Sequence, residues 1–92
     1  MIKNLLDDIT DNIPAIERAL KLQKKAASVG FDWKNSKDII KKVEEELAEI
    51  QDALNNNLSS DNLSEELGDL MFCCINLARH YQIDPEVALN KT

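Results

Sequence analysis

The chain has 92 residues, 43% of them hydrophobic, with only four aromatic residues and a formal net charge of −6 at pH 7. This length allows one domain, so residues 1–92 are expected to fold as a single unit. The composition argues against a β-sheet protein, since strands favour aromatic and β-branched side chains. The acidic charge argues against nucleic acid as a partner, because its phosphates are bound by Lys and Arg.

The first third of the chain is predicted to contain a short helix and then a long one. Apolar residues that share one face suggest the short helix over residues 1–9. The long helix is predicted over residues 14–29, where apolar side chains recur at helical spacing and Pro14 suits the first turn. Gly30 is predicted as its C-terminal cap, because glycine tolerates the left-handed backbone found there.

Two more helices and a final short one are predicted to follow. Ser36 is predicted to cap a helix whose apolar repeat ends between residues 53–55. Either Asp61 or Ser64 is predicted to cap the next helix, which is apolar over much of its circumference. Pro85, directly after an aspartate, is predicted to begin the last short helix.

These elements predict an all-α helical bundle. The loop between the second and third helices is short, so the two helices are expected to pack antiparallel. A small domain has little interior in which to bury the third helix, whose segment 70–78 reads LMFCCINLA. We therefore expect a homodimer, or a higher homo-oligomer, whose interface completes the core.

The cysteines and the N-terminal residues bear on the compartment. Cys73 and Cys74 are adjacent, and neighbours on a helix point in different directions, which argues against a disulfide between them. Reduced thiols favour a cytoplasmic location. The N-terminal residues contain no long apolar run, so neither a signal peptide nor a membrane contact is expected.

Four carboxylates are predicted to form two pairs on neighbouring helices. Glu46 and Glu49 lie beside the apolar stripe of the second helix, and Glu66 and Asp69 lie three residues apart on the third. Antiparallel packing would let the pairs face each other, and Mg²⁺ or Mn²⁺ would relieve their mutual repulsion, since these ions take oxygen ligands. A solvated acidic surface with weak ion pairs to the preceding lysines is the alternative.

Four segments of the chain resemble the MazG family of nucleoside triphosphate pyrophosphohydrolases. They read ERALKLQKKAASVGFDW, KVEEELAEI, EELGDLMFCCINLARH and IDPEVALNKT, and the likeness covers about residues 14–92. The most specific motifs are EExxE, at Glu45-Glu46-x-x-Glu49, and ExxD, at Glu66-x-x-Asp69. The resemblance therefore marks the whole region as a MazG-like helical domain.

The resemblance implies an all-α fold that dimerises around a four-helix core. It also implies Mg²⁺-dependent hydrolysis of a nucleoside triphosphate to the monophosphate and pyrophosphate, which cleans the nucleotide pool. By match to the motifs, the implied metal ligands are Glu46, Glu49, Glu66 and Asp69. Glu45 is implied to orient or activate water, Lys42 is similar in position to the family's triphosphate-contacting lysine, and Trp33 either walls the nucleotide site or packs in the connector.

The sequence leaves three functions open: a nucleoside triphosphate pyrophosphohydrolase, a related all-α hydrolase of dUTP, dCTP or phosphoribosyl-ATP, and a non-catalytic dimerisation or regulatory module. Family members commonly continue into a further basic segment, so a chain ending at Thr92 is expected to be truncated or minimal. Asn76 is predicted to contact a ligand or a buried polar group. His80 is predicted to have a structural or surface role.

Overall fold

A computed structural model describes residues 12–57 and 59–92, and within these ranges the chain is helical and has no strand. The four described helices are α1 (Ala15–Ser28), α2 (Ser36–Asn55), α3 (Ser60–His80) and α4 (Pro85–Asn90). The predicted all-α fold is thus confirmed for the described residues. The short helix predicted over residues 1–9 lies outside them.

The N-terminal caps of α2 and α3 differ from the predicted residues. Asn35 caps α2, because its backbone is extended and its side-chain oxygen accepts a hydrogen bond from the Asp38 amide at 3.0 Å. Ser59 caps α3 in the same way. The predictions of Ser36 for α2 and of Asp61 or Ser64 for α3 were therefore wrong. Adjacent polar residues compete for a cap, and backbone conformation decides between them. Helix α4 begins at Pro85 as predicted, and Asp84 caps it by accepting hydrogen bonds from the Glu86 and Val87 amides.

The end of α1 depends on a left-handed glycine. Gly30 has a φ of +91°, and its amide donates to the Ala27 carbonyl at 3.1 Å. The next amide, of Phe31, donates to the Ala26 carbonyl at 2.9 Å, which completes a Schellman motif. The predicted role of Gly30 is confirmed. The motif turns the chain sharply, so the connector after α1 runs back toward α3.

Helices α2 and α3 pack antiparallel, as predicted. The start of α2 meets the end of α3, where the hydroxyls of Ser36 and Tyr81 lie 2.8 Å apart. Further along α2, Glu46 lies beside Glu66 in the first half of α3. Ile39, on the inner face of α2, has no exposed surface at all. This register decides which polar side chains of the two helices can meet.

Helix α1 packs against the same α3, and α4 contacts its end. The buried Gln23 of α1 donates from its side-chain nitrogen to the Phe72 carbonyl of α3 at 3.0 Å. Several large apolar side chains remain exposed, among them Leu47, Leu54 and Met71, the last at 64%. No helix among the described residues is long and apolar enough to cross a membrane.

Candidate functional site

Three carboxylates from two helices converge where α2 and α3 lie side by side. Glu46 comes from α2, and Glu66 and Asp69 come from successive turns of α3. Each offers an oxygen atom, and these oxygens all lie within 4.8 Å of one another. We call Glu46, Glu66 and Asp69 the carboxylate cluster. Antiparallel packing thus brings together residues that are about 20 positions apart in the sequence.

Glu46 is the buried member of the carboxylate cluster. Only 3% of the residue is exposed, which is rare for a carboxylate, because burial removes the hydration of its charge. Its Oε1 atom lies 3.2 Å from the Nζ atom of Lys42, one turn earlier on α2. Its Oε2 atom is also buried and has no hydrogen-bond partner among the described residues. Half of this carboxylate therefore remains available to a ligand.

Glu66 holds its proton unusually tightly. Its pKa is raised to about 7, chiefly by a hydrogen bond with the Glu49 side chain and then by burial. The charges of Glu49, Glu46 and Asp69 raise it further, because like charges disfavour ionisation. The Oε2 atom of Glu66 is buried and, within the described residues, has no partner. Glu49 is thus in contact with the carboxylate cluster through Glu66, although it is not one of the three residues that form the cluster.

These features fit a divalent cation. Two buried carboxylate oxygens have no hydrogen-bond partner among residues 12–57 and 59–92, and hard oxygen ligands of this kind are those that Mg²⁺ and Mn²⁺ prefer. The strong mutual repulsion would be relieved by a bound positive charge. The side chains that could hold such an ion are the carboxylate cluster together with Glu49.

Glu45 and Lys42 occupy the edge of the carboxylate cluster. Glu45 is largely exposed, and its Oε2 atom lies 3.7 Å from the Lys42 Nζ atom, which also contacts Glu46. A hydrogen bond with Glu46 is the chief reason why the pKa of Lys42 is raised. A small cavity of about 120 Å³ is lined here by Trp33, Asp38, Lys41, Lys42 and Glu45. The predicted catalytic Glu45 thus lines the same small cavity as Lys42 and Trp33, the two predicted substrate-binding residues, and its role stays a prediction.

A larger groove of about 630 Å³ lies between α1, the connector and α3. Its walls include the aromatic rings of Phe31, Trp33 and Phe72 and the polar side chains of Asn76 and Arg79. Trp33 also lines the small cavity, so it stands between the two spaces. Trp33 is 40% exposed, and its predicted role as a wall of the nucleotide site stays a prediction.

A polar cluster that sequence reasoning missed ties the connector to the end of α3. Asp32 accepts hydrogen bonds from Arg79 at 2.6 Å, from the Trp33 amide at 2.8 Å, and lies 2.9 Å from His80 Nε2. The Arg79 hydrogen bond is the main reason why the pKa of Asp32 falls to about 2. Arg79 also donates to the buried Asn76 at 2.7 Å. His80 thus takes part in a contact between the connector and α3, and Asn76 makes a polar contact with Arg79 while it also lines the larger groove.

A family model and several known proteins match nearly the whole chain. The family model for phosphoribosyl-ATP pyrophosphohydrolase matches residues 13–91. The chain belongs to this family. The match spans α1 to α4 and so includes the carboxylate cluster, the small cavity and the larger groove. The resemblance to the MazG family noted in the sequence is also confirmed, because one of the relatives of this chain is named MazG.

Three relatives show how far the similarity extends. The chain is 45% identical over 87 residues to a nucleoside triphosphate pyrophosphohydrolase of Escherichia coli K12, covering 94% of the chain and 33% of that protein. It is 41% identical over 86 residues to the nucleoside triphosphate pyrophosphohydrolase/pyrophosphatase MazG of Thermotoga maritima, covering 94% and 32%. It is 46% identical to the uncharacterized protein YabN of Bacillus subtilis, covering 97% and 18%. The chain therefore spans about a third or less of these relatives.

Proposed function

We propose that the protein hydrolyses nucleoside triphosphates to nucleoside monophosphate and pyrophosphate with a bound divalent cation, preferably Mg²⁺. The observation that carries this proposal is a pair of buried carboxylate oxygens, on Glu46 and Glu66, that have no hydrogen-bond partner in the part of the chain that the structure describes. A buried carboxylate oxygen without a partner is costly unless a cation binds to it. Membership of a pyrophosphohydrolase family and the names of the relatives support the same chemistry.

The proposed metal ligands are Glu46, Glu49, Glu66 and Asp69. A divalent cation at this position would neutralise charge on phosphoryl oxygens and make a water molecule more acidic. The four side chains would hold the cation at a defined place between α2 and α3. Because α2 and α3 are regular helices, the ligands are presented by rigid elements, which favours a well-defined geometry.

Three further side chains are assigned to the substrate. Lys42 is proposed to bind the polyphosphate, since a phosphate next to an acidic cluster needs a positive partner. Glu45 is proposed to accept the proton of the attacking water while the bond between the α-phosphorus and the bridging oxygen breaks and pyrophosphate leaves. Trp33 is proposed to wall the nucleotide site.

The larger groove is where we propose that the nucleobase binds. Its volume of about 630 Å³ is within the range of small-molecule sites, and three aromatic rings offer stacking surfaces. Asn76 and Arg79 supply polar groups at its edge. Trp33 borders both the groove and the small cavity at Lys42, so one nucleotide could extend from the base site to the phosphate site.

The decisive experiment measures pyrophosphate release from a panel of nucleoside triphosphates, with Mg²⁺ and with a chelator. We expect release only with the metal. Glu49→Gln and Asp69→Asn should each lower turnover by about 100-fold or more. Mutation of residues that only hydrogen-bond to metal ligands already lowers metal affinity or activity by about 10–100-fold. Glu65→Gln, on an exposed residue beside the cluster, is the matched control and should keep turnover. Full turnover in Asp69→Asn, or in the chelated protein, would remove the metal assignment.

Phosphoribosyl-ATP is the second candidate substrate, because the matching family model carries that description. Its hydrolysis breaks the same type of phosphoanhydride bond and requires the same cation and carboxylates. The panel therefore includes it beside dUTP and dCTP, and the highest kcat/KM identifies the substrate class. Absence of hydrolysis with every member of the panel would favour a non-catalytic module instead.

We further propose that a second copy of the chain covers the exposed apolar side chains and completes a four-helix core. Leu54 and Met71 are 60% and 64% exposed, which is a large apolar exposure for one small chain. Sedimentation at several protein concentrations would measure the association of the two copies.

Cys73 and Cys74 are free thiols, which supports the expected cytoplasmic location.

A further inference from the structure

Lys42 already provides a positive charge at the carboxylate cluster. Its ammonium lies 3.2 Å from Glu46 Oε1, and the side chain of Glu46 is 4% exposed. A buried carboxylate is stable only with a counter-charge or a bound proton, so this ion pair has a clear physical reason in the metal-free protein. The pairing uses one oxygen of Glu46 and leaves the buried Oε2 without a partner among the described residues.

Lys42 differs from Glu46 in its access to solvent. Its side chain is 37% exposed, and it also reaches the exposed Glu45 at 3.7 Å. A long, flexible lysine at the surface can change partners at small cost, whereas Glu46 is enclosed by the residues around it. The small cavity that Lys42 shares with Trp33 and Glu45 gives its ammonium an alternative location.

We propose that Lys42 is the counter-ion of Glu46 in the metal-free protein and that it gives up this carboxylate when a divalent cation binds. This inference rests on the proposed metal site. The released ammonium then becomes available to a polyphosphate, so one lysine serves two partners in turn. Nucleotide and metal are thereby coupled, because each favours the state in which Lys42 is free of Glu46.

The direction of the effect follows from charge. A lysine and a divalent cation that share one carboxylate repel each other, so Lys42 opposes metal binding as long as it stays on Glu46. Removing the ammonium should therefore strengthen metal binding in the absence of nucleotide. A lysine that merely oriented Glu46 for the metal would have the opposite effect, since its removal would weaken metal binding.

The test is a titration with Mn²⁺ alone, followed by the electron paramagnetic resonance signal of the free ion. We expect Lys42→Met to bind Mn²⁺ about tenfold more tightly than the parent. Lys37→Met, which removes an equal charge from an exposed position on the same helix, should change the affinity by less than about twofold. Circular dichroism checks that both variants remain folded.

Equal or weaker Mn²⁺ binding by folded Lys42→Met would overturn the inference and leave the metal site intact. A parent protein that binds no Mn²⁺ would instead remove the metal site, and the inference with it.

A second measurement needs no folded Lys42→Met protein. The parent is methylated at its lysines with ¹³C-formaldehyde, and Lys42→Arg assigns the Lys42 signal. We expect Mg²⁺ to shift this signal more than those of the other lysines, and an unmoved signal would overturn the inference.

Discussion

Replacing Asp32 with asparagine should destabilise the protein by an amount that depends on pH. The pKa of this carboxyl falls from 3.8 to about 2, mainly because of its hydrogen bond with Arg79. At about 1.36 kcal/mol per pKa unit, this difference corresponds to roughly 2.4 kcal/mol. The Asp32 side chain is 28% exposed, so solvent screening reduces the expected loss to about 1–2 kcal/mol at pH 7.

The pH dependence gives the sign of the effect. The folded-state pKa is lower than the unfolded value, so the stabilisation by Asp32 is complete above about pH 4 and disappears as the pH falls toward 2. Urea unfolding of parent and Asp32→Asn, at one protein concentration, should therefore give curves that differ at pH 7 and converge near pH 2. Trp33, the single tryptophan, reports on the connector through its fluorescence. Asp52→Asn, on an exposed residue of α2, is the control. Equal stability of parent and Asp32→Asn at pH 7, or a difference that persists at pH 2, would refute the reasoning.

Two further changes test the ends of the helices. Gly30→Ala should lower the free energy of unfolding by about 1 kcal/mol, because alanine is strained at a φ of +91°, and thermal unfolding followed by circular dichroism would show it. An unchanged melting temperature would contradict the Schellman motif at the end of α1. Ser59→Ala should cost about 1 kcal/mol by removing the cap of α3, whereas the neighbouring Ser60→Ala should cost less. Equal effects of the two serine variants would speak against Ser59 as the cap.

The helices themselves could be predicted from local patterns. Apolar residues at helical spacing predicted the helices, and Gly30 predicted the end of α1, because both signals act over a few residues of the chain. The positions of the caps were less predictable. Asn35 and Ser36 are both good capping residues, and only the backbone conformation of the folded connector chooses between them.

Three of the four predicted metal ligands lie together in the structure, and their role as ligands stays a prediction. The spacing placed Glu46 and Glu66 beside the apolar stripes of their helices and Asp69 one turn after Glu66, and a short loop made antiparallel packing the simplest outcome. Periodicity cannot tell how deeply a side chain is buried, because burial depends on every element that packs around it. The burial of Glu46 and its pairing with Lys42 therefore required the tertiary structure.

The hydrogen bonds around Asp32 could not be predicted from the sequence either. Asp32 and Arg79 are 47 positions apart, and nothing in either local segment indicates the other. Their contact exists because α1 ends in a left-handed glycine and the connector then passes the end of α3. Short-range patterns determine helices, caps and candidate ligands. The charge environment of those ligands is a property of the packed chain, because electrostatic energies depend on distance and burial rather than on order along the sequence.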